Sequence, residues 1–327
     1  MKKYLLHILI LAALAAVSCQ QETLSQESVI KDTTVEMNDF DYWLEANFLK
    51  PYNIEFKYRF ALNESDKGYW TVPADIDAAV MYAHLVKYLC VDTYDEIAGV
   101  DFTCSYFPKM FFLIGTWEFK NNGSFVLGTA EAGKKIMLSG VNYLPGMFSY
   151  YSGDDLAEAI SHYYIKTIHH EFTHILNQTK DFPVEFTQVT PTSYVTESWN
   201  TSAYGSFYRQ RGFLSTYSQH SDREDFAEVL SLYVTNTEET LQEWLAAAGR
   251  EVTESDVKSD EFKVSFPDLG VGDHFNGDEL ILAKIAQVRR YMADTFHIDI
   301  TQLRDAVLRR QGEVVAGEVD LTSLEVN

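Results

Sequence analysis

The sequence predicts an α+β fold in which a small mixed β-sheet lobe is followed by a mainly helical lobe. Before residue 142, short apolar or alternating runs are separated by turn residues, which is the pattern of β-strands. After residue 150, apolar residues recur at three- and four-residue spacing over long stretches, which is the pattern of amphipathic helices. Strands grouped ahead of helices indicate an α+β arrangement.

The first 18 residues are predicted to be a secretory signal peptide and not part of this fold. Two lysines precede an apolar run over residues 4–17, which ends in small residues. Cys19 follows directly, as in the lipobox of bacterial lipoproteins, so we expect acylation of Cys19 and a stable membrane anchor. The alternative is ordinary secretion with a free cysteine. Residues 19–38 are polar and lack apolar periodicity, which predicts a flexible tether.

Residues 39–327 are expected to form the folded domain, with the sheet lobe over about 39–178 and the helical lobe over about 179–327. Between the strands, Asn121-Asn122-Gly123 predicts a hairpin turn. The predicted strands are 54–62, 110–117 and 124–141. The predicted helices are 42–49, expected to end at Pro51, and then 75–91, 156–178, 221–234, 238–248, 279–295 and 299–310.

The chemistry is concentrated in His170-Glu171-Phe172-Thr173-His174, within the helix predicted over 156–178. Residues i and i+4 of a helix lie on one face, so the imidazoles of His170 and His174 can bind the same metal ion. Glu171 follows the first histidine, where its carboxylate can reach a water on that ion without binding the ion itself. The motif therefore predicts a zinc site, with two histidine ligands and Glu171 as the general base.

A second group of acidic residues, Glu224, Asp225 and Glu228, begins the helix predicted over 221–234. A catalytic zinc site needs three protein ligands and one open position. In the zincin class called gluzincins, the third ligand is a glutamate on a downstream helix, and a carboxylate four residues later supports the first histidine. This spacing favours Glu224 as the third ligand of one Zn²⁺ per chain, with Asp225 as the alternative. Glu228 is then expected to accept the outer N–H of His170.

Tyr217 precedes the predicted third ligand by seven residues. Gluzincins related to the anthrax lethal factor have a tyrosine in this relation, and its hydroxyl would there stabilise the oxyanion of the tetrahedral intermediate. Tyr204 and Tyr208, on the same irregular segment, are the alternatives. Of the other histidines, His169 lies on another face of the helix and is expected to be packed there or to support a ligand. His220 is expected to be a solvated loop residue, with a substrate contact as the alternative.

The charge and the remaining cysteines exclude some classes and leave one question open. The net charge is −22, which argues against nucleic-acid binding, because that function requires clustered Lys and Arg. A solvated acidic surface is the simpler explanation. Cys90 and Cys104 lack the local spacing of a zinc or redox motif. In an oxidising compartment they could pair, but two separate thiols are equally consistent with the sequence.

The whole chain resembles the Bacteroidetes lipoproteins described as substrate import-associated zinc metallohydrolases, a family classed as zinc-binding metallopeptidases. The resemblance covers about residues 39–310. The matching features are Cys19, Pro51-Tyr52-Asn53-Ile54, Tyr58-Arg59-Phe60, His170–His174, Gly212-Phe213, Tyr217 and Glu224-Asp225-Phe226-Ala227-Glu228. It implies a zincin-like fold and a lipid-anchored protein of the outer membrane, on its periplasmic or surface-exposed face. It also implies a position beside TonB-dependent nutrient importers.

The sequence thus predicts a membrane-anchored zinc-dependent hydrolase that cleaves peptide bonds in a peptide or protein substrate. One alternative is a non-catalytic, substrate-binding lipoprotein of an outer-membrane import system. Glu171 argues against that alternative, because a structural zinc site has no need of a base. The other alternative is a zinc amidase that acts on a non-peptide substrate, such as a glycan or a cell-wall fragment.

Overall fold

The strands of the computed structural model form a four-stranded mixed sheet and a separate two-stranded pair. In the main sheet the order is β1-β2-β6-β5; β1, β2 and β6 run parallel, and β5 lies antiparallel to β6 at one edge. Strands β3 and β4 form the antiparallel pair. The strands are β1 (Glu55–Lys57), β2 (Met110–Leu113), β3 (Glu118–Phe119), β4 (Phe125–Val126), β5 (Gly128–Glu131) and β6 (Lys135–Leu138). Together with the helices that follow, this confirms the predicted α+β fold.

The structure describes residues 36–64, 68–119, 125–131 and 134–326. The chain divides into the units Met1–Met37 and Asn38–Asn327. The predicted signal peptide, Cys19, nearly all of the tether and the Asn121-Asn122-Gly123 turn lie outside the described residues, although β3 and β4 pair on either side of that turn. No helix in the described part of the chain is long and apolar enough to span a membrane. The division of residues 39–327 into two lobes stays a prediction.

Most of the regular secondary structure in the described residues is helical, and several helices continue through a wider π turn. The α-helices are Asp39–Leu44, Lys50–Tyr52, Ile76–Val86, Asp92–Ala98, Val100–Tyr106, Leu144–Tyr150, Gly153–Ile160, Lys166–Thr179, Val184–Thr187, Asp222–Thr235, Glu238–Ala248, Asp260–Ser265, Gly277–Phe296 and Ile300–Val315. The π turns are Glu45–Leu49, Lys87–Val91 and Ser161–Ile165. The 3₁₀ turns are Val141–Tyr143, Thr196–Asn200, Tyr217–Gln219 and Asp256–Lys258.

The first helix differs from its prediction at both ends. Asn38 caps it through a capping box with Asp41, so the helix begins before residue 42. Pro51 does not end the helix. Proline has no backbone N–H to donate, and the π turn Glu45–Leu49, which shifts the hydrogen-bond partners just before it, lets the helix continue past this residue. The helix ends at Asn53, which adopts the left-handed conformation (φ 55°).

The strand predicted over 54–62 is much shorter in the structure, where it covers only Glu55–Lys57. Beyond it, Tyr58 donates a hydrogen bond to Asp41, and the Arg59 guanidinium pairs with the same carboxylate. These contacts tie the chain to the first helix directly after Lys57, the last residue that pairs with β2. The two helices Asp92–Ala98 and Val100–Tyr106 were not predicted, and Gly99 (φ 87°) separates them.

The metal-binding motif lies on a helix held between the sheet and the helical core. Phe172 is fully buried, with its ring centroid 4.9 Å from those of Tyr94 and Phe107. Loss of a buried aromatic side chain of this kind costs about 3–5 kcal/mol. On the sheet side, a Cβ added to Gly128 of β5 would lie 2.7 Å from Cγ2 of Thr167, so this strand packs directly against the helix. Cys90 and Cys104 are free thiols, which settles the open question of their pairing.

Candidate metal centre

Two helices bring the predicted metal ligands together. We call Lys166–Thr179 the His helix and Asp222–Thr235 the Glu helix. The His helix buries its apolar face, including Ile168 and Leu176, which leaves His170 and His174 on the face towards the Glu helix. Ser221 caps the Glu helix by accepting a hydrogen bond from the backbone N–H of Glu224, at 3.3 Å.

The three predicted ligand atoms converge on one point. Oε2 of Glu224 lies 3.0 Å from Nε2 of His170 and 3.2 Å from Nε2 of His174, and the two nitrogens lie 3.1 Å apart. With zinc–ligand bonds of about 2.0–2.1 Å, a tetrahedral site separates its ligand atoms by about 3.3–3.4 Å. The three atoms therefore need to move by only a few tenths of an ångström to bind zinc. In the described residues they are the only three His, Cys, Asp or Glu side chains so grouped.

Glu228 lies behind the first histidine, as the sequence predicted. Its Oε1 is 2.9 Å from Nδ1 of His170, and its side chain is almost completely buried. The negative charge of this carboxylate favours a proton on Nδ1, which leaves the lone pair of Nε2 for the other ligand atoms. His170 is thus held in the tautomer that binds a metal.

Two further residues hold Glu228, and neither was predicted from the sequence. The Lys166 ammonium lies 2.5 Å from Oε1 of Glu228, and the Ser215 hydroxyl donates to Oε2 at 2.6 Å. Lys166 precedes His170 by four residues on the His helix, so the i, i+4 rule could have placed it on the same face. Ser215 lies on an irregular segment, and no sequence pattern indicates it.

The charges of the centre suit a cation. Burial disfavours the charged form of His170, but the carboxylates of Glu224 and Glu228 outweigh this effect and raise the pKa of His170 to about 9. Burial would raise the pKa of Glu224, but the two histidines hold it well below its ordinary value. Glu224, Glu228 and Glu171 thus gather negative charge around the two imidazoles, which favours binding of a cation.

Glu171 and Tyr217 border the three ligand atoms. The Tyr217 ring centroid is 6.0 Å from that of His170, and its hydroxyl lies close enough to Glu224 for the charge of that carboxylate to act on it. Burial, followed by the negative charges of Glu224 and Glu171, raises the pKa of Tyr217 far above its ordinary value. The phenol is therefore a protonated hydrogen-bond donor at neutral pH. Glu171 is half-buried, and its charge acts on both His170 and Tyr217.

Asp225 does not face the metal centre, so its alternative role as third ligand is wrong. Successive residues of a helix point about 100° apart, and Glu224 already points at the histidines. Asp225 Oδ2 instead lies 2.7 Å from the ammonium of Lys284 and accepts a hydrogen bond from Tyr194 at 2.9 Å.

The other candidate residues lie in separate environments. The rings of Tyr204 and Tyr208 pack against the guanidinium groups of Arg211 and Arg209, at 5.2 and 5.0 Å. His169 is fully buried, with Nδ1 3.1 Å from the Tyr94 hydroxyl.

An aromatic wall extends outward from Tyr217. The Trp199 ring packs edge-on against the Tyr217 ring, with their centroids 5.0 Å apart. The half-buried His220 ring lies beside the same side chain, with its centroid 5.8 Å from that of Tyr217. Nε2 of His220 contacts the exposed carboxylate of Glu197 at 3.2 Å. Thr196, which begins the turn that contains Trp199, has φ 48°, a strained value for a β-branched residue.

Comparison with known proteins agrees with this geometry. A family model described as "Putative zinc-binding metallo-peptidase" matches residues 33–301. A crystal structure of a "putative zinc-binding metallo-peptidase" from Bacteroides caccae ATCC 43185 is 30% identical to the chain and covers 91% of it and 100% of its own length, with a TM-score of 0.67. No curated protein matches the chain. Because the family model spans most of the sequence and includes both ligand-bearing helices, the chain belongs to this family of zinc-binding metallo-peptidases.

Proposed function

We propose that the protein is a zinc-dependent hydrolase that cleaves peptide bonds. The observation that carries this proposal is the three-ligand cluster of His170, His174 and Glu224, which has Glu171 and Tyr217 beside it. Three protein ligands with an open fourth position are typical of catalytic zinc sites, whereas structural sites use four. When bound there, zinc supplies a Lewis acid and lowers the pKa of water to about 7.

The side chains around this cluster suit hydrolysis of an acyl bond. Glu171, a half-buried carboxylate, takes a proton from the attacking water and later delivers it to the leaving amine. Tyr217 donates a hydrogen bond from its hydroxyl to the oxyanion that develops on the substrate carbonyl. Glu228 and Lys166 keep His170 in one orientation and one tautomer throughout the reaction.

A peptide substrate is favoured by the strand beside the centre. Strand β5 is the edge of the main sheet, and among the described residues nothing pairs with its outer side. It packs against the His helix at Thr167, one turn before the first ligand. An extended peptide can add to such an edge through main-chain hydrogen bonds. A substrate held in this way would present its backbone carbonyls near the metal ligands.

The setting that we propose is the outer membrane, with a lipid on Cys19 as the anchor and residues 19–38 as the tether. The lipobox-like position of Cys19 supports this proposal, and so does the resemblance of the chain to Bacteroidetes lipoproteins. One zinc ion per chain and a position beside a nutrient importer belong to the same proposal.

The test is cleavage of a peptide library by residues 20–327, loaded with zinc, beside the variant Glu171→Gln. We expect the wild type to cleave peptides, and the variant to keep its zinc but lose nearly all turnover. Glu185→Gln, at an exposed position of the next helix, is the matched control and should cleave as the wild type does.

Other outcomes would contradict the proposal in distinct ways. Wild-type turnover by Glu171→Gln would remove the role given to Glu171. Capture of peptides or glycans without cleavage would favour the binding protein. Release of a product from amide-containing glycans, but not from peptides, would favour the amidase.

A further inference from the structure

A completely buried ion pair lies directly behind the third metal ligand. Asp225 and Lys284 both have side chains with 0% exposure, and Asp225 Oδ2 is 2.7 Å from the Lys284 ammonium. Lys284 is on the helix Gly277–Phe296, which packs beside the Glu helix. Replacing a buried ion pair with apolar residues is often neutral or even stabilising, so fold stability alone is a weak explanation for such a pair.

The same ammonium also holds a second segment, the one that leads to Ser215. It donates to the carbonyl oxygen of Gly212 at 2.7 Å and lies 3.8 Å from the centroid of the Phe213 ring. Gly212 has φ 86°, and a Cβ there would lie 2.6 Å from Cβ of Leu280. Glycine is therefore required for this close approach. The Gly212-Phe213 pair of the sequence is thus a docking point for Lys284.

Each contact of Lys284 leads within a few residues to the metal centre. Asp225 is the neighbour of Glu224 in the first turn of the Glu helix, so fixing Asp225 fixes the rotation of that turn. Ser215 lies three residues after Gly212, and its hydroxyl donates a hydrogen bond to Glu228. Tyr194 adds a second tie, because its hydroxyl donates to Asp225 at 2.9 Å.

Metal ligands require this kind of support. A functional constellation must be held to within about 0.5 Å and 10–20° of its working geometry, by side chains whose own positions are fixed. Capping by Ser221 orients the start of the Glu helix along its axis, but it does not fix rotation about that axis. The contact between Asp225 and Lys284 is made about a quarter of a turn from Glu224 and adds a restraint on that rotation in the first turn, next to the ligand.

We propose that Lys284 is a positioning residue of the metal centre: through Asp225 it holds the ligand Glu224, and through Gly212 it holds Ser215 against Glu228. The inference rests on the zinc site and not on peptide hydrolysis. If Lys284 does not position the ligands, the hydrolase proposal still stands. If the protein cleaves no peptides, the role inferred here for Lys284 still stands.

The test compares zinc affinity with fold stability in residues 20–327. The variants are Lys284→Met, the double variant Asp225→Asn/Lys284→Met, and Tyr194→Phe. The double variant leaves no uncompensated buried charge, and Tyr194→Phe removes a single hydroxyl, so these two stay informative if Lys284→Met does not fold. The zinc dissociation constant is measured by competition with a chelator. The visible bands of the cobalt-substituted protein report ligand geometry, and urea unfolding of the metal-free protein reports stability.

We expect the zinc dissociation constant of the double variant to rise by about tenfold, the low end for loss of support behind a ligand. Its cobalt bands should change, and Tyr194→Phe should shift both readouts in the same direction by less. Arg304→Met is the matched control, because it removes a buried cation paired with Glu238 that does not contact the centre. It should keep the wild-type zinc affinity and cobalt spectrum whatever its effect on stability.

The opposite pattern would overturn the inference. If the double variant and Tyr194→Phe bind zinc with wild-type affinity and show the wild-type cobalt spectrum, the Asp225–Lys284 pair does not position the ligands. A loss of zinc affinity in Arg304→Met as large as that of the double variant would also overturn it, because the effect would then follow from general destabilisation.

Discussion

The stability of the metal-free protein should fall as the pH rises from 6.5 to 9, because His170 loses its proton in this range. In the folded chain, Glu224 and Glu228 raise the pKa of His170 from 6.5 to about 9. A group whose pKa is raised by folding stabilises the folded state fully below its unfolded pKa, and that contribution is lost as the pH passes the folded value. The difference in pKa corresponds to about 3 kcal/mol of unfolding free energy. Glu224 and Glu228 have lowered pKa values and stay ionised throughout this range.

The assay is urea unfolding of residues 20–327, treated with a chelator, at pH 6 and pH 9.5. His170→Gln is the reference, because it retains every other titrating group. We expect the wild type to lose about 3 kcal/mol more than the variant between the two pH values. A difference below about 1 kcal/mol would refute the argument that the two carboxylates stabilise a proton on this histidine. With saturating zinc the difference should disappear, because His170 must be neutral to bind the ion.

Three further predictions concern the ligands and the residues around them. Glu228→Gln should raise the zinc dissociation constant by about 10- to 100-fold in chelator competition, because His170 loses the carboxylate that orients it; unchanged affinity would contradict that role. Tyr217→Phe should keep its zinc but lower the turnover of a cleaved peptide by about 10²- to 10³-fold, because one hydrogen-bond donor to the oxyanion is lost. Undiminished turnover would show that Tyr217 does not stabilise the oxyanion. Zinc occupancy, measured by elemental analysis after dialysis, should drop at pH 4.5, since both imidazoles must be neutral to bind; full occupancy at that pH would argue against two histidine ligands.

The metal ligands could be predicted from the sequence because their spacing within each helix determines which face they occupy. His170 and His174 lie four residues apart, as do Glu224 and Glu228, and the structure brings both pairs to the same place. The choice between Glu224 and Asp225 needed the structure, because it depends on the rotation of the Glu helix. Part of what holds that rotation is the distant residue Lys284, 59 positions beyond Asp225.

The parts that were not predicted depend on contacts between segments far apart in the sequence. The strand at 54–62 is shortened because Tyr58 and Arg59 bind Asp41 of the first helix. The supporting role of Ser215 depends on the path of an irregular segment. Local spacing and turn chemistry contain no information about such contacts, so the sequence located the ligands but not the residues that hold them.

The zinc content of purified residues 20–327, measured beside His170→Ala and Glu224→Ala, tests the central claim most directly. We predict one zinc ion per chain in the wild type and a loss or sharp reduction in both variants, because each removes one of the three converging ligand atoms. A well-folded wild type that takes up no zinc even when the metal is supplied would contradict the account.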